Sequence, residues 1–248
     1  MNDITIVSAF FSFKKNKYNS HDIYKFWGSN LFPNLNTNVV IFTDEENYDF
    51  ICSLRTNELK EKTRIIKMKI EDFYMYKYID YLDKNTPELY MFFNEKINFV
   101  KKAIVSNFFN SSYYAWCDFG CVRNSIYPEL YLTNFPNLTN LTKYKIYMFK
   151  NDYEFSEEDY KEPYNDINGT IYSSFFIGKK DLLLNLHNYF YNEILINYVK
   201  YNKFIGIDTY ISLYLSYPEL FELNNGENDE YTIQFSQLKW FYFLKYFS

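Results

Sequence analysis

SYYAWCDFG, residues 112–120, is a nearly unbroken apolar run that ends on one carboxylate and one glycine. A run of this length without polar alternation describes a strand covered on both faces. Such a strand delivers Asp118 to its C-terminal end, where open parallel sheets bind their ligands. Neighbouring stretches repeat the pattern. DITIVSAF (3–10), NVVIFTD (38–44) and TRIIKMKI (63–70) read as further buried strands, and KIYMFK (145–150) and GTIYSSFFIG (169–178) as two more. Helical patterns lie between them. Residues 20–32 form one with Ser20 as N-cap, and residues 86–109 another, with Thr86 as cap and Pro87 at its first position. Residues 180–201 form a third, and a fourth opens near Asp208 and stops at Pro218. Strands alternating with helices predict an α/β class, a mostly parallel sheet flanked by helices. The acidic and polar stretch 151–168 reads as a mobile loop, and the aromatic segment 238–248 as a piece docked on the body.

On the helix 86–109, Leu89, Phe93, Ile97, Val100, Ile104 and Phe108 share one face, and Lys96 falls inside that apolar arc. A lysine there must either snorkel to water or find an anion. No repeat and no Pro/Gly/Ser linker divides the 248 residues, so residues 1–248 are read as a single domain. The 28 Tyr and 26 Phe, set beside only 6 Gly, reflect an AT-rich coding sequence rather than a ligand stripe. A net charge of −5 without basic blocks argues against a nucleic-acid partner. The N-terminus lacks a basic n-region and a cleavage site, and no run of 18 apolar residues occurs. The expectation is a cytoplasmic protein, in the host-cell cytoplasm if the source is viral. In that setting four Asn-x-Ser/Thr sequons, beginning at Asn110, Asn137, Asn140 and Asn168, are accidents of Asn richness. Three cysteines make no disulfide framework, and Cys117 and Cys121 read as small reduced core thiols.

Several segments, taken in order, resemble one family. VSAFF, KKNKYNSHDIYKFW, VIFTD, NEKINFVKKAI, SNFFNSSYYAWCDFGCVRN and GIDTYISLYLSYPELF are together similar to the HtrL/YibB-type family of GT-A glycosyltransferases. The resemblance spans roughly residues 4–222, and WCDFGCVRN (116–124) is its most specific piece. It implies a GT-A-like, Rossmann-like domain that moves a sugar from a nucleotide-diphosphate donor to a hydroxyl on a glycan, lipid or protein. By the same resemblance Asp118 stands where GT-A enzymes keep a metal-binding Asp-x-Asp, with Mn²⁺ or Mg²⁺ as the implied cofactor. Here the motif reads Asp118-Phe119-Gly120, so the second carboxylate is missing, and no histidine follows His187 to serve as a late metal ligand.

The residues assigned to the donor are Ser8, Ala9, Phe10, Lys17, Thr43, Asp44, Lys96, Gly120 and Arg123, with Asp118 as metal ligand and catalytic group. Strand-end carboxylates suit ribose hydroxyls or a divalent ion, cations suit phosphate oxygens, and Gly120 permits close approach. Asp208, at a helix start, is the candidate base for the acceptor hydroxyl. DFG is also a kinase metal motif, but neither a Gly-rich loop nor an HRD-type loop accompanies it. Two rival readings remain open: a nucleotide-sugar hydrolase on the same fold, and a non-catalytic module that binds glycans or a membrane surface.

Overall fold

The structure is a computed structural model that describes residues 3–14, 19–123, 132, 134–139, 141, 143–225 and 243–248. In chain order it runs β1 (Ile4–Phe10), α1 (His21–Leu31), β2 (Asn38–Thr43), α2 (Tyr48–Leu54) and β3 (Thr63–Lys67). A 3-10 segment (Tyr74–Tyr81) leads into α3 (Pro87–Ser106), β4 (Tyr113–Cys117), β5 (Ile146–Lys150) and α4 (Glu157–Lys161). Then follow β6 (Ile171–Lys179), α5 (Lys180–Tyr189), one π turn, α6 (Leu195–Lys200), α7 (Thr209–Ser216), β7 (Phe221–Asn225) and α8 (Phe243–Tyr246).

Among the described residues seven strands join one sheet, in the order β3-β2-β1-β4-β6-β5-β7. Every neighbouring pair is parallel except the two that β6 makes, which are antiparallel. This is the expected mostly parallel α/β sheet flanked by helices. The chain builds outward from β1 to β2 and β3, then returns to lay β4 on the other side of β1. That reversal puts the topological switch point between β1 and β4, the place where open α/β sheets form the crevice that takes their ligands, at the C-terminal strand ends. The antiparallel β6 begins at that same edge, so Ser173 and Ser174 arrive beside the end of β4.

One core lies on each face of the sheet. Val7, Val40, Phe42, Tyr114 and Trp116 pack under α3, α5, α6 and α7. Ile6, Ile41, Ala115, Cys117 and Phe119 pack with Leu31 of α1, Ile51 of α2 and Phe243 of α8. At the end of the chain, Phe243 stacks on Phe175 at 4.3 Å.

Local expectations held unevenly. Ser20 caps α1, its side chain accepting from Ile23 N–H. Thr86 makes no side-chain cap; Asp83 Oδ1 accepts from the backbone of Asn85 and Thr86 instead, ahead of Pro87. Helix α3 stops at Ser106 because Asn107 takes a left-handed φ of 46°, which leaves Phe108 outside the helix and exposed. The stretch 151–168 is more than a loop. Ser156 and Asp159 form a capping box at the start of α4, and Phe155 and Tyr160 pack on Tyr214 of α7.

Candidate functional site

The site grows from one ion pair. Trp116 and Asp118 alternate onto the same face of β4, toward α3, and Asp118 Oδ1 accepts from Trp116 Nε1 at 2.6 Å. Lys96 Nζ reaches the same oxygen at 2.8 Å, with the lysine side chain 2% exposed and the aspartate 28% exposed. Thus the apolar arc did find an anion for its lysine. The remaining Lys96 donors go to Ser173, whose carbonyl accepts at 3.0 Å and whose Oγ lies at 3.4 Å. Phe93 and Trp116 rings flank the ammonium at 5.3 and 5.6 Å from their centroids. The Asp118 backbone is fixed too, its N–H donating to Ser174 O at 2.9 Å. Among the described residues no hydrogen bond reaches Asp118 Oδ2, and this is the oxygen left to meet a ligand.

The turn after Asp118 is clamped by α1. A Cβ on Gly28 would strike the Phe119 ring at 2.0 Å, and a Cβ on Gly120 would meet Trp27 at 2.8 Å and Tyr24 at 2.9 Å. The space a side chain at Gly120 would need is thus filled by aromatic rings of α1, so this glycine serves the packing of α1 on the turn. Arg123 lies over the Trp27 ring at 4.4 Å. Burial lowers its pKa, and the neighbouring Tyr24 and Asp118 oppose that shift. Arg123 and Lys96 thus bring two cations to the surroundings of one carboxylate.

The expected residues of β1 and β2 share this edge but are mostly occupied. Ser8 is fully buried and its Oγ donates to Cys117 O at 2.7 Å, pinning β1 to β4. Thr43, also fully buried, donates to Phe10 O at 2.8 Å, pinning β2 to β1. Ala9 is buried in the core under α3. These three line the sheet interior; their side chains do not open on the crevice. Phe10 sits in a ring stack, 4.6 Å from His21 and 4.5 Å from Phe119. Asp44 accepts from Ser12 N–H at 2.6 Å, Asn47 N–H at 2.9 Å and Asn47 Nδ2 at 2.8 Å. Its carboxylate ties the loop after β1 to the loop after β2. Lys17 lies outside the described residues.

Cys117 and Cys121 are buried thiols with Sγ atoms 3.4 Å apart, and burial pushes the Cys117 pKa well up. They behave as the inert core thiols expected.

Asp208 precedes α7, and its side chain makes no cap bond. Desolvation by its neighbours raises its pKa, and the Asp166 carboxylate adds to the rise. The turn that carries it is tied to α3. Asn94 donates to Gly206 O at 3.1 Å and accepts from Thr209 Oγ1 at 2.7 Å, while Tyr210 Oη donates to Phe93 O at 3.0 Å. Lys96 stands three residues beyond Phe93 and two beyond Asn94 on the same helix.

Sequence reasoning missed four residues here. Trp116 was findable, since it stands two residues before Asp118 on the same strand face. Ser173 and Asn94 carried no pattern that names a partner, because each acts across a long sequence gap; Asn47, three residues from Asp44, also bonds Ser12 across such a gap.

A divalent ion fits this donor set in only one way. Among the described residues no three His, Cys, Asp or Glu side chains converge. A caged metal is therefore not built here. An ion brought in by a diphosphate needs few protein ligands, and Asp118 Oδ2 is the group present for it.

Against known proteins, the HtrL/YibB family profile, described as a bacterial protein of unknown function, matches residues 2–86 and 81–236. The chain belongs to the HtrL/YibB family. No curated protein matches the chain. Among solved structures it is similar to mouse xyloside xylosyltransferase 1 in its apo form, at 12% identity and a TM-score of 0.48, over 96% of this chain and 92% of that one. It is also similar to 4-diphosphocytidyl-2C-methyl-D-erythritol synthase from Anaerococcus prevotii, at 9% identity and a TM-score of 0.45, over 94% of this chain and 93% of that one. Among the described residues no helix is long and apolar enough to cross a membrane.

Proposed function

We propose that this chain is a glycosyltransferase that moves a sugar from a nucleotide-diphosphate donor to a hydroxyl acceptor on a glycan, lipid or protein. The observation that carries the reading is the Lys96–Asp118 pair at the switch point of the sheet. A lysine this deeply buried and a carboxylate that reaches water meet where α/β sheets take ligands. The pair is prebuilt, so its dipole needs no reorganisation when charge develops on a leaving diphosphate.

In this reading the diphosphate lies across the end of β4. Arg123 neutralises phosphate charge, and Lys96 holds Asp118 in one rotamer with Trp116. Asp118 Oδ2 orients the donor or accepts one of its hydroxyls. An Mn²⁺ or Mg²⁺ ion, when bound there with the donor, would supply extra charge neutralisation for the leaving group. Asp208 takes the proton from the acceptor hydroxyl. Its raised pKa suits that work, since a stronger base is a better proton acceptor near neutral pH. Phe10 and His21 bound the β1 side of the crevice, and Asp44 shapes it through Ser12 and Asn47.

The test is a thermal-shift panel of nucleoside diphosphates and nucleotide sugars, with and without Mn²⁺, followed by product analysis. At least one nucleotide should raise Tm, because a ligand that binds only the folded state stabilises it. Its sugar should then appear on an added acceptor. Release of free sugar alone would move the assignment to the hydrolase, and a panel without any shift would remove the donor site altogether.

A further inference from the structure

The aromatic groups around Asp208 are arranged in a way the donor site does not use. Phe204 is 48% exposed although it stands in a firmly held turn. Asn202 ends α6 with a left-handed φ of 52°, and Lys203 N–H returns to Tyr198 O at 2.8 Å. Ile205 is fully buried, and its N–H donates to Tyr81 O at 2.9 Å. Lys203 Nζ donates to Tyr164 O, and Gly206 O accepts from Asn94. A turn fixed at this many points presents the Phe204 ring by construction, and not through looseness, with the exposed Tyr201 ring just ahead of it.

The ring also has defined neighbours. Tyr90 of α3 stands against Phe204 at 5.1 Å and 76°, and Phe93 stands 6.0 Å from Tyr90. Phe93 in turn flanks the Lys96 ammonium. A continuous aromatic line therefore runs along α3 from the Lys96–Asp118 pair out to Phe204. Gly206 shows what lies at its far end. A Cβ there would meet the Phe204 ring edge at 2.9 Å and Asp208 Oδ2 at 3.7 Å. Ring and carboxylate thus flank the same small residue.

We infer that Phe204, beside Asp208, is the stacking platform for a pyranose ring of the acceptor, which makes the acceptor a glycan. This deepens the transferase reading and rests on it. A pyranose offers an apolar C–H face and a rim of hydroxyls. An open aromatic face next to a carboxylate acceptor answers both, and the same carboxylate is the proposed base. The competing occupant, an anionic lipid surface, suits the place badly. The Asp166 carboxylate acts on Asp208 here, and two negative charges disfavour phosphate-bearing headgroups.

The experiment is saturation-transfer NMR with methyl glycosides of the common hexoses and pentoses, on the full chain. At least one glycoside should receive saturation concentrated on the C–H groups of one ring face. Phe204→Ala should weaken that binding about three- to tenfold, in line with the usual worth of one aromatic stack, and Phe204→Tyr should keep it. Gly206→Ala, whose Cβ pushes the ring aside, should fall between them. The nucleotide-induced rise in Tm reports separately on the donor site. If a nucleotide raises Tm but no glycoside is saturated, or Phe204→Ala binds glycosides as well as the native chain, the platform is wrong and the transferase reading stands. If glycosides bind the native chain in this Phe204-dependent way but no nucleotide shifts Tm, the platform stands and the transferase reading falls. Co-sedimentation with phosphatidylserine vesicles that disappears in Phe204→Ala would overturn the glycan assignment in favour of a membrane.

Discussion

Helix α3 buries an acid and a base side by side and sends them opposite ways. Glu95 and Lys96 are both essentially inaccessible, and as neighbours on a helix they point about 100° apart. Glu95 is answered by dipoles: the N–H groups of Tyr74 and Met75, each at 3.0 Å, and the Asn98 amide at 2.5 Å. Lys96 is answered by a full charge, that of Asp118. The outcome differs accordingly. Burial raises the Glu95 pKa to about 7 despite those three bonds, so this carboxyl can rest as a neutral acid that caps the 3-10 segment. The Lys96 partner, by contrast, keeps an oxygen turned to the crevice. Burial of a charge therefore does not mark a site by itself; a partner that still reaches water does.

The sharpest way to break this comparison is to remove one half of the ion pair. Asp118→Ala leaves the Lys96 ammonium buried with only Ser173 for company, and Lys96→Met leaves the carboxylate without its cation. Removing one partner of a buried pair typically destabilises by about 3–5 kcal/mol. Urea denaturation should show that loss in each single variant. The double variant Lys96→Met/Asp118→Leu should recover most of it, because two apolar groups need no partner. All three should lose transfer by roughly two to three orders of magnitude if Asp118 acts on the donor. A double variant no more stable than the singles would mean that the pair is not coupled.

Asp44 gives the intermediate case, a strand-end aspartate like Asp118 but answered by backbone like Glu95. Asp44→Ala strands the N–H groups of Ser12 and Asn47, for a loss of about 2–4 kcal/mol at the usual penalty for unpaired groups. Asp44→Asn keeps an acceptor and should lose about half as much. The comparison sharpens if nucleotide binding is followed in parallel. Because the Asp44 carboxylate is already engaged, nucleotide affinity in Asp44→Asn should change by less than tenfold, whereas a loss well beyond that would make Asp44 a direct ligand of the donor.

Sequence alone reached the sheet because its strands are continuous apolar runs and its helices periodic ones. It also reached Lys96, since a cation inside an apolar arc is a contradiction that only a partner can resolve. It did not reach β7, whose FELNN pattern is half polar at the sheet margin, nor the 3-10 segment, whose tyrosines carry no helical period. The strand-end residues whose side chains bond within the fold share one feature. Ser8, Thr43 and Asp44 carry small polar groups that can face a ligand or a neighbouring strand, and only the three-dimensional register decides between the two. Gly120 is similar: a missing side chain says that something approaches closely, but not whether it is a sugar or the rings of Tyr24 and Trp27.

The smallest expected effect concerns pH and tests the Glu95 half of the comparison. Asn98 links Glu95 to His187, donating to the one and lying 3.3 Å from the ring nitrogen of the other. Burial moves their pKa values in opposite senses, Glu95 up to about 7 and His187 down to about 4. A raised carboxyl contributes stability below its unfolded value near 4.3, which is lost as pH rises through about 7. A depressed imidazole contributes stability above its unfolded value near 6.5, which is lost as pH falls toward about 4. Between about pH 4.5 and 6.5 the two slopes oppose one another, and their joint contribution is nearly flat. Glu95→Gln removes one slope while keeping an acceptor for the Tyr74 N–H. The variant should then lose about 1–2 kcal/mol relative to the native chain as pH falls from 6.5 to 4.5, which is the slope of Glu95 alone because His187 titrates in both proteins. Urea midpoints of both proteins across that window measure the difference, and other titrating groups cancel in it. Parallel curves would mean that Glu95 is ionised in the fold, and the contrast between a dipole-answered and a charge-answered group would then lose its basis.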